Sequence, residues 1–226
     1  MKKLSYLSII LLFVNLSVAA QDKFEGSYGG IAIGYIDAKD HGIEIESDGA
    51  QYIGHYNEPS GSSISISLGH NKIIKESILV GLEASFEKNN VDDSVEQYDT
   101  VFSTFEPCCI VKSKVKNSFY LGGRLGKIFQ DDFLAYISAG AAFKNIKRSF
   151  EDTSTIIIKT ADIQNGFYLG LGLEKYITEN LTAKIDYKYV DVGKKTYNDI
   201  ILAQSWGIQK HNYSENNFKI GINYYF

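Results

Sequence analysis

This 226-residue chain has only two cysteines and two prolines, and beyond residue 20 it has no apolar run of membrane-spanning length. A transmembrane helix needs about 20 consecutive apolar residues, so any crossing of a bilayer has to be made by strands. Both prolines, Pro59 and Pro107, fall in polar stretches that read as loops, as expected where every strand needs its full ladder of N–H donors. Charge of one sign is not in excess either. At a net −4 there is no basic face for nucleic acid and no field to steer an anionic substrate. His41, His55, His70 and His211 form no His-x-x-x-His pair and have no Cys or carboxylate cluster at ligand spacing, so neither a metal nor a cofactor is expected. Nothing reads as a linker, which leaves one domain.

The amino end is organised for export. Lys2 and Lys3 precede an apolar run from Leu4 to Val18, and Val18-Ala19-Ala20 places small residues where a signal peptidase reads. Residues 1–20 are therefore expected to be a signal peptide cleaved before Gln21, with 21–226 as the mature domain. No Cys lies near that point, which argues against a lipoprotein.

Period-two alternation marks eight segments, near 24–36, 62–71, 77–88, 115–128, 133–146, 164–176, 181–192 and 213–226. Short connections at 72–76, 130–132 and 177–180 alternate with long polar ones near 37–61, 89–114, 147–163 and 193–212. The expected fold is all-β, an eight-stranded antiparallel up-and-down transmembrane β-barrel with short turns on the periplasmic side and long loops outside. Register follows from energy. Lysine at a bilayer midplane costs about 2–4 kcal/mol, so in 181–191 the face carrying Lys184, Asp186 and Lys188 must look inward and Ile185, Tyr187 and Tyr189 outward. The last strand places Phe218, Ile220, Ile222, Tyr224 and Phe226 outward, and the chain stops on that aromatic. Aromatics collect at two heights: Phe129, Phe133, Tyr176, Tyr224 and Phe226 below, and Tyr35, Phe86, Phe119, Phe143, Phe167 and Tyr189 above.

The segment from Gly166 to Gly193, GFYLGLGLEKYITENLTAKIDYKYVDVG, resembles the penultimate hairpin of the small outer-membrane β-barrel family of alphaproteobacteria, the porin-family or outer-membrane immunogenic proteins. The features that match are a Gly-rich strand ending in Glu-x-Tyr, a Thr-Glu-Asn-Leu turn, and Asp-Tyr-Lys-Tyr-Val-Asp before a Gly. Ile220 to Phe226 resembles the signal read by the barrel assembly machinery, and more distantly the whole chain resembles OmpA/OmpX-type barrels. The first half matches in pattern only. The resemblance implies residence in the Gram-negative outer membrane, with outer-membrane lipid and lipopolysaccharide as surroundings and the assembly machinery as partner in biogenesis.

The inward set Glu83, Arg124, Glu174, Lys184, Asp186, Lys188 and Lys219 brings opposite charges into a lumen barely wide enough for side chains. It reads either as an ion path or as a packed polar core, and the diameter of eight strands favours the core. Cys108 and Cys109 lie in the second long loop and are open to three readings: a strained vicinal disulfide, a bridge to another molecule, or thiols without a role. Ser63, Ser65 and Ser67 share a strand with His70 but differ from it in parity, so they make no nucleophile–base pair and no enzyme is expected. His41, His55 and His211 are expected to be solvated in outer loops. Glu44, Glu46, Asp48, Asp92, Asp93, Glu96 and Asp99 are expected to form an acidic outer crown, suited to divalent cations shared with lipopolysaccharide or simply to solubility. The functional expectation is an integral surface protein of the cell envelope with a filled lumen, whose loops meet a host or environmental ligand; the alternative is a narrow low-conductance porin.

Overall fold

The computed structural model describes residues 23–46, 51–98, 107–152, 156–202 and 205–226. The signal-peptide expectation for residues 1–20 lies outside them. Nine strands follow one another: β1 (Gly26–Glu46), β2 (Gln51–Asn57), β3 (Ser60–Lys75), β4 (Ile78–Tyr98), β5 (Pro107–Phe129), β6 (Phe133–Asp152), β7 (Ile156–Tyr176), β8 (Leu181–Leu202) and β9 (Ser205–Tyr225). β1 and β3 to β9 pair antiparallel in chain order, and β1 closes on β9 from Tyr28↔Tyr225 to Glu46↔Gly207. That is a closed eight-stranded barrel. β2 folds back on the outer half of β1, continuing the wall beyond the end of β3.

Closure matters because a bilayer offers no water to an open sheet edge, and each unmade backbone hydrogen bond there costs several kcal/mol. The alternation that specifies register is carried through the whole wall. Ile185 and Leu171 are 61% and 57% exposed on the outside, whereas Lys184, Asp186 and Lys188 are buried within. Between β5 and β6 the chain reverses in a tight turn with Gln130 and Asp131 both at positive φ, the geometry that matches the twist of the two strands it joins.

The strands run far past the segments that alternation marked. Spanning a membrane takes about 9–11 tilted residues, yet β5 has 23 and β8 has 22. Most of the stretches expected as long loops are barrel wall standing above the aromatic belt. Pro107 opens β5, where its missing N–H costs no ladder bond, while Pro59 does lie in a connection. Cys108 and Cys109 belong to β5 rather than to a loop, and their side chains lie outside the described set. Tyr176 also departs from expectation. It packs inside the periplasmic end against Phe24 and Tyr225, with ring centroids 4.6 and 5.6 Å away, and so it is no part of the lower girdle.

The membrane boundary can be located by substitution. Leu171→Lys, at mid-height on the lipid face, is expected to lower unfolding stability in phospholipid vesicles by about 2–4 kcal/mol. Ile163→Lys, exposed on the same strand but four residues beyond the belt residue Phe167, is expected to cost less than about 1 kcal/mol. Urea titration by tryptophan fluorescence or gel migration reads both.

Candidate functional site in the barrel lumen

Inward side chains stack in tiers up the lumen. Lowest is Arg124, whose Nε donates to Asn71 Oδ1 at 2.8 Å, Nη1 to Glu174 Oε2 at 3.1 Å and Nη2 to the Tyr225 hydroxyl at 3.1 Å. The guanidinium also lies 4.4 Å from the Tyr28 ring centroid and 5.1 Å from that of Tyr136. Glu174 Oε1 accepts from Thr182, Asn223 and Tyr225, so both of its oxygens are engaged. Phe24, at positive φ, closes this end beneath them.

Above this tier Glu83 accepts from the Tyr28 hydroxyl at 2.8 Å and faces Lys184 at 3.8 Å and Lys188 at 3.6 Å. Asp186 accepts from Tyr136 and lies 3.4 Å from Lys184. The next tier pairs Lys219 with Glu87, and Lys144 with Glu215 at 2.7 Å, while the Tyr120 and Tyr213 hydroxyls donate to Glu215. Two glycines make room for the aromatic rings that separate the tiers. Gly122 and Gly140 face each other across β5 and β6, and a Cβ on either would run into Tyr168.

The outermost tier stands above the belt. Asp40 accepts a two-pronged contact from Arg148, Nε to Oδ2 at 2.7 Å and Nη2 to Oδ1 at 2.8 Å. It also accepts from Ser113 Oγ at 2.6 Å, and His211 Nδ1 lies 3.5 Å away. Arg148 Nη1 donates to the Tyr197 hydroxyl at 3.1 Å. Burial alone would raise the Asp40 carboxyl, but the facing His211 and Arg148 hold it well below the usual carboxylate range. Burial, helped by the Arg148 charge, holds His211 below the ordinary imidazole range against the opposing pull of Asp40.

All seven charged residues expected in the lumen stand there. Sequence reading missed Asp40, Glu87, Lys144, Arg148 and Glu215, which complete the tiers, although the parity of Glu87 with Glu83 and of Glu215 with Lys219 carried the signal. Two expectations for the outer residues fail. His211 is not a solvated loop residue but a buried one, because its strand continues far above the belt with its inward parity intact. Nor do Asp92, Asp93 and Glu96 stand in a loop. They lie on β4, with Asp92 3.6 Å from Lys114 and Asp93 accepting from the Glu58 backbone N–H. Glu44 and Glu46 lie on β1 and His55 on β2, their side chains outside the described set, and Asp48 and Asp99 fall outside the described residues. His41 meets Tyr56 edge to face with centroids 4.7 Å apart, and His70 is exposed with its Nδ1 3.0 Å from Ser27 Oγ. Ser63, Ser65 and Ser67 point into the lumen, away from His70.

A closed barrel with an apolar exterior, girdled by aromatics and filled with paired charges, defines an integral outer-membrane β-barrel protein. Residues 7–226 match the family model described as outer membrane protein beta-barrel domain, and the chain belongs to that family. It is 25% identical over 210 residues to the 31 kDa outer-membrane immunogenic protein of Brucella melitensis, covering 89% of this chain and 83% of that protein. It is 32% identical over 111 residues to the 22 kDa outer membrane protein of Rhizobium leguminosarum bv. viciae, covering 48% of each. Among solved structures, the outer membrane protein OprG of Pseudomonas aeruginosa shares the fold with a TM-score of 0.58 at 15% identity, over 89% of this chain and 96% of that one.

Arg148→Met is expected to cost about 3–5 kcal/mol in the outer extension by stranding the Asp40 carboxylate, and adding Asp40→Asn to recover most of it. Hydrogen exchange of β1 and β6 amides above the belt measures this. The pH dependence has a definite sign. Folded His211 takes up a proton less readily than the unfolded residue does, so as pH falls below about 6.5 protonation favours the unfolded strands. Protection of the extension is therefore constant above about pH 7 and falls as pH drops below 6.5, with Asp40 adding a second loss below about pH 4. His211→Gln is expected to flatten the first fall and keep the second.

Proposed function

We propose that the protein is a closed-lumen scaffold of the outer membrane, contributing to envelope integrity and presenting its tall outer rim to a host or environmental surface ligand, without catalytic activity. The observation that carries this reading is the filled lumen. The carboxylates of Asp40, Glu83, Glu87, Glu174, Asp186 and Glu215 face an equal number of cations in Arg124, Lys144, Arg148, Lys184, Lys188 and Lys219. Such a column leaves little free charge for a migrating ion to exchange with, and eight strands enclose only enough width for side chains. In the same reading, lipopolysaccharide and outer-leaflet lipid surround the barrel. The assembly machinery reads the terminal strand through Phe218, Ile220, Ile222, Tyr224 and Phe226, all of which are exposed on the lipid face.

One feature favours the alternative of a narrow, low-conductance pore. The Ser63 and Ser85 hydroxyls are buried in the lumen and make no hydrogen bond among the described residues, so this side of the lumen has polar capacity to spare. Single-channel recording on the refolded chain decides between the two. The scaffold reading expects no stable openings in the wild type, whereas openings whose conductance changes in Lys188→Gln would replace it with the pore. Arg124→Met is expected to lower urea stability by about 3–5 kcal/mol by leaving Glu174 buried without its cation, and Arg124→Met with Glu174→Gln to restore most of that.

A further inference from the structure

A second charged feature lies outside the lumen, on the lipid-facing side of β4, β5 and β6. Phe86, Phe119 and Phe143 stand opposite one another across these strands and are exposed, forming a row of the outer belt, with the Phe119 and Phe143 centroids 6.1 Å apart. Two residues farther out on β4 is Lys88, also exposed. β5 bulges at this height, its register shifting between Val115 and Asn117. Val115 and Ser118 are both buried, so the extra residue sets Lys116 beside Asn117 on the outer side. Lys147 on β6 stands directly opposite Lys114 on β5.

Like charges facing each other across strands are unfavourable. Lys147, with Lys114 contributing, pushes the half-buried Lys116 below the usual lysine range. Neighbouring carboxylates do not relieve this. Asp92 is paired with Lys114 at 3.6 Å and Glu151 with Lys112 at 2.7 Å, and no ion pair reaches Lys88, Lys116 or Lys147 among the described residues. Height is the second observation. At about 3.4 Å per residue and a tilt near 40°, Lys147, four residues beyond Phe143, starts about 10 Å above the ring row, while Lys88, two residues beyond Phe86, starts about 5 Å above it. The latter height is within the headgroup layer, about 5–8 Å deep on each side of the hydrocarbon. Lysine stems are long enough to hold the Lys88 ammonium there and to let the Lys147 ammonium reach down to it.

We infer that Lys88, Lys116 and Lys147 form an outward-facing phosphate site for the phosphorylated glycolipid of the outer leaflet, whose acyl chains lie along Phe86, Phe119 and Phe143. A single ligand with phosphates above acyl chains satisfies both the crowded cations and the aromatic row beneath them, which a soluble anion does not. The inference rests on lipopolysaccharide being a partner of the barrel and is independent of whether the lumen conducts.

The test uses the refolded full chain in neutral detergent, with bisphosphorylated lipid A, fully dephosphorylated lipid A and inorganic phosphate as probes. Wild type is expected to bind the bisphosphorylated form and to lose it as salt rises. The triple variant K88Q/K116Q/K147Q is expected to bind about a hundredfold more weakly while keeping heat-modifiable gel migration, whereas Lys39→Gln on β1 leaves binding unchanged. Wild-type affinity in the triple variant, or equal binding of the dephosphorylated form, overturns the site. Competition by inorganic phosphate at the concentration of the lipid overturns the lipid assignment in favour of a free-anion site. Failure of the wild type to bind any of the three instead removes the partnership on which the site rests.

Discussion

A narrow cylinder in lipid has to neutralise its own interior. The wall of this barrel is greasy outside, so the ionic residues at mid-height, such as Glu83, Lys184 and Asp186, are turned inward, where burying an unpaired charge costs several kcal/mol. Pairing is thus a condition of the fold. The hydroxyls of Tyr28, Tyr136, Tyr120, Tyr213 and Tyr225 take up the lone pairs that the cations leave open. Their rings give the ammonium and guanidinium groups a face to lie against, as Tyr168 and Tyr120 do for Lys188 at 4.9 and 5.1 Å. Breaking one member leaves its partner buried without compensation, so the tiers act as interlocked units rather than as independent pairs.

The same wall continues into water. Above the belt the barrel keeps its pairing, and the Asp40 tier repeats the lumen's logic with a histidine added. In this tier a histidine is held out of water, which ties its stability to pH just below neutrality. Two of the strand bulges stand near the transition between the two regimes, between Val115 and Asn117 and between Asp191 and Gly193. Gly193 adopts a positive φ there and its N–H donates to Asp191 Oδ1 at 2.6 Å. Bulges redirect side chains, and on β5 that redirection is what turns Lys116 out toward the headgroup layer.

How much of this could be read without coordinates depended on contrast. Inside the bilayer, Ile185 beside Lys184 and Asp186 announces which way each residue points, since lipid and lumen are opposite solvents. Glu83, Arg124, Glu174, Lys184, Asp186, Lys188 and Lys219 were legible for that reason. Above the bilayer the exterior is water, both faces of a strand become polar, and the period-two signal fades while the hydrogen-bonded ladder goes on. Asp40, Arg148 and His211 were consequently mistaken for or hidden among loop residues. Tyr176 was misplaced by a related ambiguity, because an aromatic near a strand end serves equally well as a girdle outside or as a plug within.

Alone, then, the order of residues settled the compartment, the eight strands of the barrel and the facing of the side chains at mid-height, because the cost of a lysine in hydrocarbon leaves one register open. Which charges meet was decided only in three dimensions. Arg124 and Glu174 are 50 residues apart, and Asp40 and Arg148 are 108 apart, on strands that are not neighbours. What brings them together is the curvature and stagger of a wall closed by β1 and β9, and no local pattern encodes that distance across the cylinder.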